Sequence, residues 1–424
     1  MPSISCPKCG GFLIPKISGF AQPISKEGVW GWSPLLFSGD ITTKISLGEG
    51  WTPIIKASRI ARSANVGKLF LKVESRNPTG TFIDRGSATL VSAAKHMRAR
   101  MVVSPSMGDM GVSLSSYCRR AGIKCKVFVP ENALPIKVAK TLILADDVVL
   151  TLNYEEALNK ASKYVGQEGV MVALPTNPYL IDGYRTLAYE LLHELPALKG
   201  SETTIIVPVG NGALLTAMWS ALKDLGINAR FIGVKGCVKS PTIVDIYVES
   251  PAFKDFIDEI ISESGGELVN VCEEEALEAS LQLSHLEGFM TGPVGASPIA
   301  ALNTLNLNPK QNVLAIVSGD APPDAVAVYS MLSITGYRAG TSPSSLGKTK
   351  AAILEVLSLK GPMHPYAIWK TLSEERGFKI SLRAVYQHVD ELHSLGYVSQ
   401  VHAPSKRGRK LYSLTSKALD LLKH

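Results

Sequence analysis

The stretch NPTGTFIDRG, residues 77–86, decides the fold. Asn77-Pro78-Thr79-Gly80 is turn chemistry: proline pre-sets φ, and glycine reaches backbone conformations closed to other residues. Thr81-Phe82 then leads into a helical pattern that is predicted to run from Asp84 to Ala99. A loop ending on a helix start can present a reactive side chain to a cleft. Between Phe82 and Asp84, where a nucleophile would stand, the residue is Ile83. Isoleucine has no amine and no proton to move.

Working outward, short apolar runs read as buried parallel strands: Leu69–Val73, Met101–Val103, Lys126–Val129, Asp147–Leu150, Thr204–Val207, Arg230–Val234 and Asn312–Val317. Helical patterns alternate with them, at Ser113–Ala121, Tyr154–Val165, Gly183–Glu194 and Ala213–Leu225. Continuous apolar strands alternating with helices imply parallel sheets covered on both faces. The expected fold class is α/β, with two doubly wound layers and a cleft between them, over residues 46–340.

Three glycine-rich turns follow strands. Ser106-Met107-Gly108-Asp109-Met110-Gly111 leads to a helix expected to open at Val112–Ser113. Val209-Gly210-Asn211-Gly212 precedes a second helix, and Ser318-Gly319 ends the last strand. Glycines let backbone N–H groups approach an anion, and a helix N-terminus favours negative charge. Tight strand-to-helix turns also use glycine for steric reasons alone. Ser106, Gly108, Asp109, Gly210, Asn211, Gly212 and Ser318 are the candidate ligand-binding residues.

The ordered motifs LGEGWTP (47–53), NPTGTF-x-DRG, SMGDMGVS, PVGNGALLTA, EGFMTGPVGASPIAAL and VSGD resemble threonine synthase and its relatives. The resemblance covers about residues 45–335. It implies the tryptophan-synthase-β-like fold of pyridoxal 5′-phosphate enzymes, fold type II, with two subdomains. In that family a lysine before Asp-Arg-Gly forms the Schiff base with the cofactor. Ile83 occupies that position here, so no covalent cofactor is expected. The family's cofactor-binding asparagine corresponds to Asp109, whose carboxylate would oppose a phenolate-like oxygen. The Gly210–Gly212 turn resembles the phosphate cradle, and Ser318 matches the residue that contacts the pyridine nitrogen. Asp84 and Arg85 match residues that are largely structural in the family. Lys72 lies within a strand and Lys95 at the far end of a helix, so neither is placed to substitute for the missing amine.

The first 45 residues are less regular and are expected to form an extension. Cys6-Pro-Lys-Cys9 has the spacing of half a zinc knuckle, a weak metal candidate without a second CxxC in the chain. A simple turn, or a zinc shared between two subunits, would each account for it. Cys118, Cys125, Cys237 and Cys272 fall in patterned regions and are expected to be core residues. Six cysteines in 424 residues do not make a disulfide framework, which fits an intracellular, cytoplasmic setting. No run of about 20 apolar residues suggests a membrane span.

The net charge of +7 is uneven. From Leu346 to His424 there are 13 Lys/Arg against 6 Asp/Glu, while the rest carries 31 of each sign. The Gly/Ser/Pro-rich stretch 341–347 reads as a linker into this basic module, residues 348–424. Within it, Lys350–Leu359 is a predicted helix with Ile353, Leu354 and Leu357 on one face. Pro365–Glu375 is a second helix. A third starts after the N-cap Ser381, with Val385, Val389, Leu392 and Leu395 as its buried stripe. Arg383, Tyr386, Gln387 and His388 lie off or beside that stripe. A hairpin follows, with the tip SKRGRK (405–410), a return strand Leu411–Leu414 and a last helix from Thr415.

Three helices and a basic two-stranded wing make a winged helix-turn-helix. ILEVLSLKGPMHPYAIWKTL (353–372), SLRAVYQHVDELHSLGYVSQ (381–400) and GRKLYSLT (408–415) resemble the PadR-like transcriptional regulators. Double-stranded DNA is the expected partner: Ser381, Arg383, Tyr386, Gln387 and His388 at the major groove, Lys406, Arg407, Arg409 and Lys410 on phosphates or the minor groove. The chain therefore reads as a homodimeric DNA-binding regulator with a non-enzymatic, threonine-synthase-like domain. That domain would sense a small anionic effector, such as a phosphorylated amino acid, an amino acid or non-covalent pyridoxal phosphate, or serve as a scaffold. An enzyme with relocated chemistry and an effector-free architectural DNA-binding protein are the alternatives.

Overall fold

The computed structural model describes residues 6–196, 203–240, 242–309, 311–319, 348–375, 377–378, 380–402 and 410–422. The chain divides into two compact units, Met1–Ile334 and Thr335–His424. The expected linker, 341–347, lies outside the described residues. Among the described residues no helix is long and apolar enough to cross a membrane.

The first unit holds two sheets. The larger has the order β1(Ile54–Lys56), β2(Lys68–Val73), β10(Asn312–Val317), β7(Thr203–Pro208), β8(Arg230–Gly236), β9(Glu267–Val271). All its pairs are parallel except β1 with β2. The smaller is wholly parallel, in the order β5(Asp147–Thr151), β4(Lys124–Pro130), β3(Met101–Pro105), β6(Val170–Val172). The seven apolar runs each lie in one of these strands. Every residue of β7 is buried, as a central strand covered on both faces requires. β1, β6 and β9 carry no run long enough to announce them.

Among the described residues the α-helices of this unit are α1(Ser58–Ser63), α2(Ile83–His96), α3(Asp109–Ala121), α4(Pro135–Leu144), α5(Tyr154–Ser162), α6(Pro178–Glu194), α7(Ala213–Asp224), α8(Lys254–Ser264), α9(Glu273–Gln282) and α10(Pro293–Ala300). α2 and α6 cross at two glycines. A Cβ on Gly86 would lie 2.5 Å from the Tyr184 ring, and one on Gly183 would lie 2.1 Å from the Arg85 carbonyl oxygen. Gly86 of the opening motif is thus a helix-packing residue. α3 begins at Asp109, three residues before the expected opening, because the Ser106 hydroxyl accepts from the Gly108 and Gly111 amides and folds the turn into the helix. The expected extension is not peripheral: Val29, Trp30, Trp32 and Leu35 belong to the main core.

Two cysteine expectations are corrected. Cys118 and Cys125 are core residues, but Cys237 and Cys272 form a disulfide. The parallel pairing of β8 with β9 sets their carboxyl ends side by side and brings the two sulfurs together.

The second unit consists of α11(Lys348–Lys360), α12(Pro365–Lys370), a wide helical turn Thr371–Glu375, α13(Leu382–Ser394), β11(Val398–His402), β12(Lys410–Leu414) and α14(Ser416–Leu422). Ile353, Leu354, Leu357, Val385, Val389 and Leu392 form its core with Tyr397 and Val398. Leu395 does not join them and is 47% exposed. It is the C-cap of α13, where the chain leaves the helix, and Tyr397 takes the core position instead. β11 and β12 pair antiparallel from Val398 opposite Leu414 to His402 opposite Lys410. Lys410 therefore opens the return strand rather than closing the tip.

Candidate functional site

The loop 77–82 is stitched to the end of β10. Thr81 bridges Gly319, and the Phe82 amide donates to the Ser318 carbonyl at 3.0 Å. Ile83 therefore starts α2 beside Ser318. Asp84 holds this arrangement: it accepts from the Thr79 amide at 2.7 Å and from the Thr79 and Ser113 hydroxyls at 2.5 Å each. Burial pushes its carboxyl up to about 6, against the pull of those donors.

Arg85 points the other way, into a buried ion network. It donates to Glu74 at 2.6 and 2.7 Å, to Glu190 at 2.5 and 2.8 Å, and to Thr186. Lys72 joins from β2, 2.9 Å from both Glu190 and Glu194 and donating to the Thr52 carbonyl. Burial raises the Glu190 carboxyl, but Arg85 and Lys72 hold it at about 2. Lys95 donates to the Ala121 carbonyl. Asp84 and Arg85 are both held in buried hydrogen-bond networks, and Lys72 and Lys95 each have partners of their own.

Asp109 meets a cation rather than an open cleft. Lys137, on α4, bridges Asp109 at 2.9 Å and Asp245 at 2.8 Å. Asp109 belongs to the smaller-sheet subdomain, whereas Asp245 follows β8 of the larger sheet. The ammonium thus ties the two subdomains across the cleft. Burial and the neighbouring Asp245 push the Asp109 carboxyl up, while Lys137 draws it down. The Lys137 stem runs over Gly108, where a Cβ would lie 2.4 Å from Cδ.

Sequence reasoning missed Lys137. α4 has inverted amphipathicity: it buries Lys137 and Thr141 and exposes Ile136, Leu142 and Ile143. A hydrophobic-face reading would place that lysine in solvent, so no local signal could have found it.

At the α7 turn the glycines answer to the chain itself. A Cβ on Gly210 would lie 2.3 Å from the Asp245 carbonyl, and one on Gly212 would lie 2.7 Å from Ile257. The Asn211 carbonyl accepts from the Phe253 amide, and its side chain accepts from the Ala252 amide. The amides of Gly210, Asn211, Gly212 and Ala213 have no hydrogen-bond partner among the described residues. One turn into α7, the Thr216 hydroxyl is buried and also without a partner among the described residues. These groups fit the phosphate end of pyridoxal phosphate. The aldehyde end does not fit: Ile83 brings no amine, and Lys137 is salt-bridged to two carboxylates. Of the expected ligand residues, Ser106 spends its hydroxyl as an acceptor within its own turn, and Ser318 is buried beside Ile83.

Cys6 and Cys9 sit in a tight turn, with the Gly10 amide donating to the Cys6 carbonyl. The backbone N–H groups of Lys8 and Cys9 hold the Cys6 thiol below its ordinary range. Among the described residues no group of three or more potential metal ligands occurs.

On α13 the Ser381 hydroxyl accepts from the Ala384 amide at 3.2 Å and caps the helix as expected. Arg383, Tyr386 and Gln387 are exposed on its amino-terminal half. Gln387 donates to Glu391 at 3.2 Å, His388 turns to the same carboxylate, and Lys350 of α11 engages it at 2.7 Å. Lys410 is exposed; Lys406, Arg407 and Arg409 lie outside the described residues.

Residues 45–319 match the family model "Pyridoxal-phosphate dependent enzyme", and residues 353–421 match "Transcriptional regulator PadR-like family". The threonine synthase of Halalkalibacterium halodurans is 27% identical over 69% of this chain and 88% of its own. That of Synechocystis is 30% identical over 64% of this chain and 76% of its own. Diaminopropionate ammonia lyase from Escherichia coli shares the fold at TM-score 0.59 and 17% identity, over 72% of this chain and 91% of that one. Maize serine racemase does so at TM-score 0.55 and 20% identity, over 68% and 93%. The chain therefore belongs to the pyridoxal-phosphate dependent enzyme family, here fused to a PadR-like domain.

Proposed function

We propose that this protein is a DNA-binding transcriptional regulator whose α/β unit has exchanged catalysis for ligand sensing. The observation that carries the reading is the pairing of Ile83, at the start of α2 beside Ser318, with a capped, exposed helix in a PadR-like unit. The effector is a phosphorylated small molecule held without a covalent bond at the α7 turn, pyridoxal phosphate being one such molecule. Chemistry relocated to Lys137 is disfavoured, because an ammonium paired to two carboxylates is a poor nucleophile. On α13, Arg383 and Gln387 would face base edges, while Asp390 and Glu391 further along would turn that end away from phosphates. The protein would act as a cytoplasmic homodimer reading paired half-sites.

The test has two arms. Borohydride treatment of the protein as purified, with no pyridoxal phosphate added, followed by mass spectrometry, should leave no pyridoxyl adduct; a stoichiometric adduct on a buried lysine, Lys72 or Lys137, would restore the enzyme reading. Selection of duplexes from a random pool should give a defined site whose preference shifts in Arg383→Ala. Binding that is equal for all duplexes would favour an architectural role.

A further inference from the structure

A covalent link lies beside the cleft. Cys237 follows β8, Cys272 precedes α9, and their disulfide spans a Cα–Cα distance of 5.0 Å. Both residues are half-buried, and Val238 next to them is exposed. The buried Cys118 and Cys125 are shielded by comparison.

The disulfide pins one segment. After Cys237 the chain folds back, so that a Cβ on Gly236 would lie 3.2 Å from that of Tyr247. The Thr242 hydroxyl donates to Glu273, the residue after Cys272. Ile243 and Ile246 plug into the core under the larger sheet. The same segment delivers Asp245, whose carboxylate holds Lys137 and whose carbonyl packs on Gly210 of the α7 turn. Disulfide, segment and cleft are therefore one continuous set of contacts.

We propose that Cys237 and Cys272 are a redox-modified pair that sets cleft closure through Asp245 and Lys137. Oxidised, the pair fixes the segment and keeps Asp245 on the ammonium. Reduced, it leaves the segment held by Thr242 and the two isoleucines, and Asp245 leaves Lys137 more readily. Oxidation joins the two sulfurs, releases two protons and passes two electrons to a disulfide of the glutathione class, which departs as two thiols. Reduction reverses this through a mixed disulfide. For a chain that works on chromosomal DNA, a partly accessible disulfide fits sensing, because intracellular disulfides are mostly transient. The proposal rests on the cleft being the sensing site, but its test reads cysteines and Lys137, not ligand or DNA, so the two can fail separately.

The full-length protein is equilibrated in reduced or oxidised glutathione. It is then labelled with a cysteine alkylating reagent and, in parallel, with an amine-acetylating reagent, and the modified peptides are quantified by mass spectrometry. Cys237 and Cys272 should become alkylated together in reduced glutathione and protected together in oxidised glutathione. Acetylation of Lys137, relative to exposed Lys223, should rise several-fold on reduction. Cys237→Ser should hold Lys137 at the higher reactivity in both buffers; if that variant misfolds, the wild-type comparison carries the test alone. Cysteines that alkylate equally in both buffers, a pair that glutathione does not reduce in the native protein, or unchanged Lys137 acetylation would each overturn the proposal.

Discussion

Two ion clusters lie within the α/β unit, one built on Arg85 and one on Lys137, and they differ in what surrounds them. The Arg85 cluster is sealed except at its rim: the side chains of Arg85, Glu74, Lys72 and Glu190 are all 0% exposed and tied by short, multiple hydrogen bonds, and only Glu194, at the end of α6, reaches water at 29% exposed. The Lys137 cluster sits at the cleft, with Asp109 29% and Asp245 26% exposed and two carboxylates sharing one ammonium. A sealed, saturated network is scaffolding, since losing one member strands a buried charge. A half-wet cluster with excess negative charge exchanges partners at small cost. The first holds the motif in place, and the second is the movable contact.

The largest effect should come from breaking the sealed cluster. Arg85→Met leaves Glu74 without a cation and Glu190 with Lys72 alone, and should cost about 3–5 kcal/mol in urea unfolding, a large share of a domain's stability. A loss as small as that at an exposed site would erase the distinction between the clusters.

Next is a pH effect at Asp84. Burial raises its folded carboxyl to about 6, from 3.8 in an unfolded chain. The folded state therefore binds the proton more tightly than the unfolded chain. The associated stability is fully present below the unfolded pKa and is lost as pH rises through the folded value. Stability from this group should fall between about pH 4 and 6, by up to about 3 kcal/mol. Asp84→Asn should flatten that slope in urea midpoints measured across the window. Asp182, also pushed up to about 6 by burial, leaves a residual slope. An unchanged slope in Asp84→Asn would show that Asp84 titrates normally.

Lys137→Met should cost about 1–2 kcal/mol near neutral pH, because the two carboxylates it leaves behind retain some water. The loss should shrink at acid pH as Asp109 takes up a proton, which thermal unfolding at two pH values would show. A cost matching that of Arg85→Met would mean that the cleft cluster is scaffolding too.

The smallest effect belongs to Lys223, an exposed partner of Glu263 at 2.7 Å. Lys223→Ala should change stability by less than about 0.5 kcal/mol, and more salt should abolish the difference.

Much of this was legible in the chain. NPTGTFIDRG and the later glycine turns carry a local frame, because turn and helix-start chemistry is written in neighbouring residues. The seven apolar runs and the wing hairpin were legible for the same reason: period and punctuation are local. Ile83 needs no coordinates to be read as lacking an amine. The N-cap at Ser381 and the confinement of the net positive charge to the last module were equally open to view.

What only the tertiary structure decided depends on residues far apart in sequence. Lys137 reads as a surface lysine on an apolar helix until Asp109 and Asp245 meet it from two different sheets. Cys237 and Cys272 are 35 residues apart and become partners because β8 and β9 pair in parallel. Gly86 reads as one residue of a helical pattern and Gly210 as a cradle glycine until Tyr184 and the Asp245 carbonyl occupy the space a side chain would need. Local propensity sets which element forms; whether a charged or small residue is structural or poised depends on which distant atoms the packing brings against it, and no local pattern encodes that.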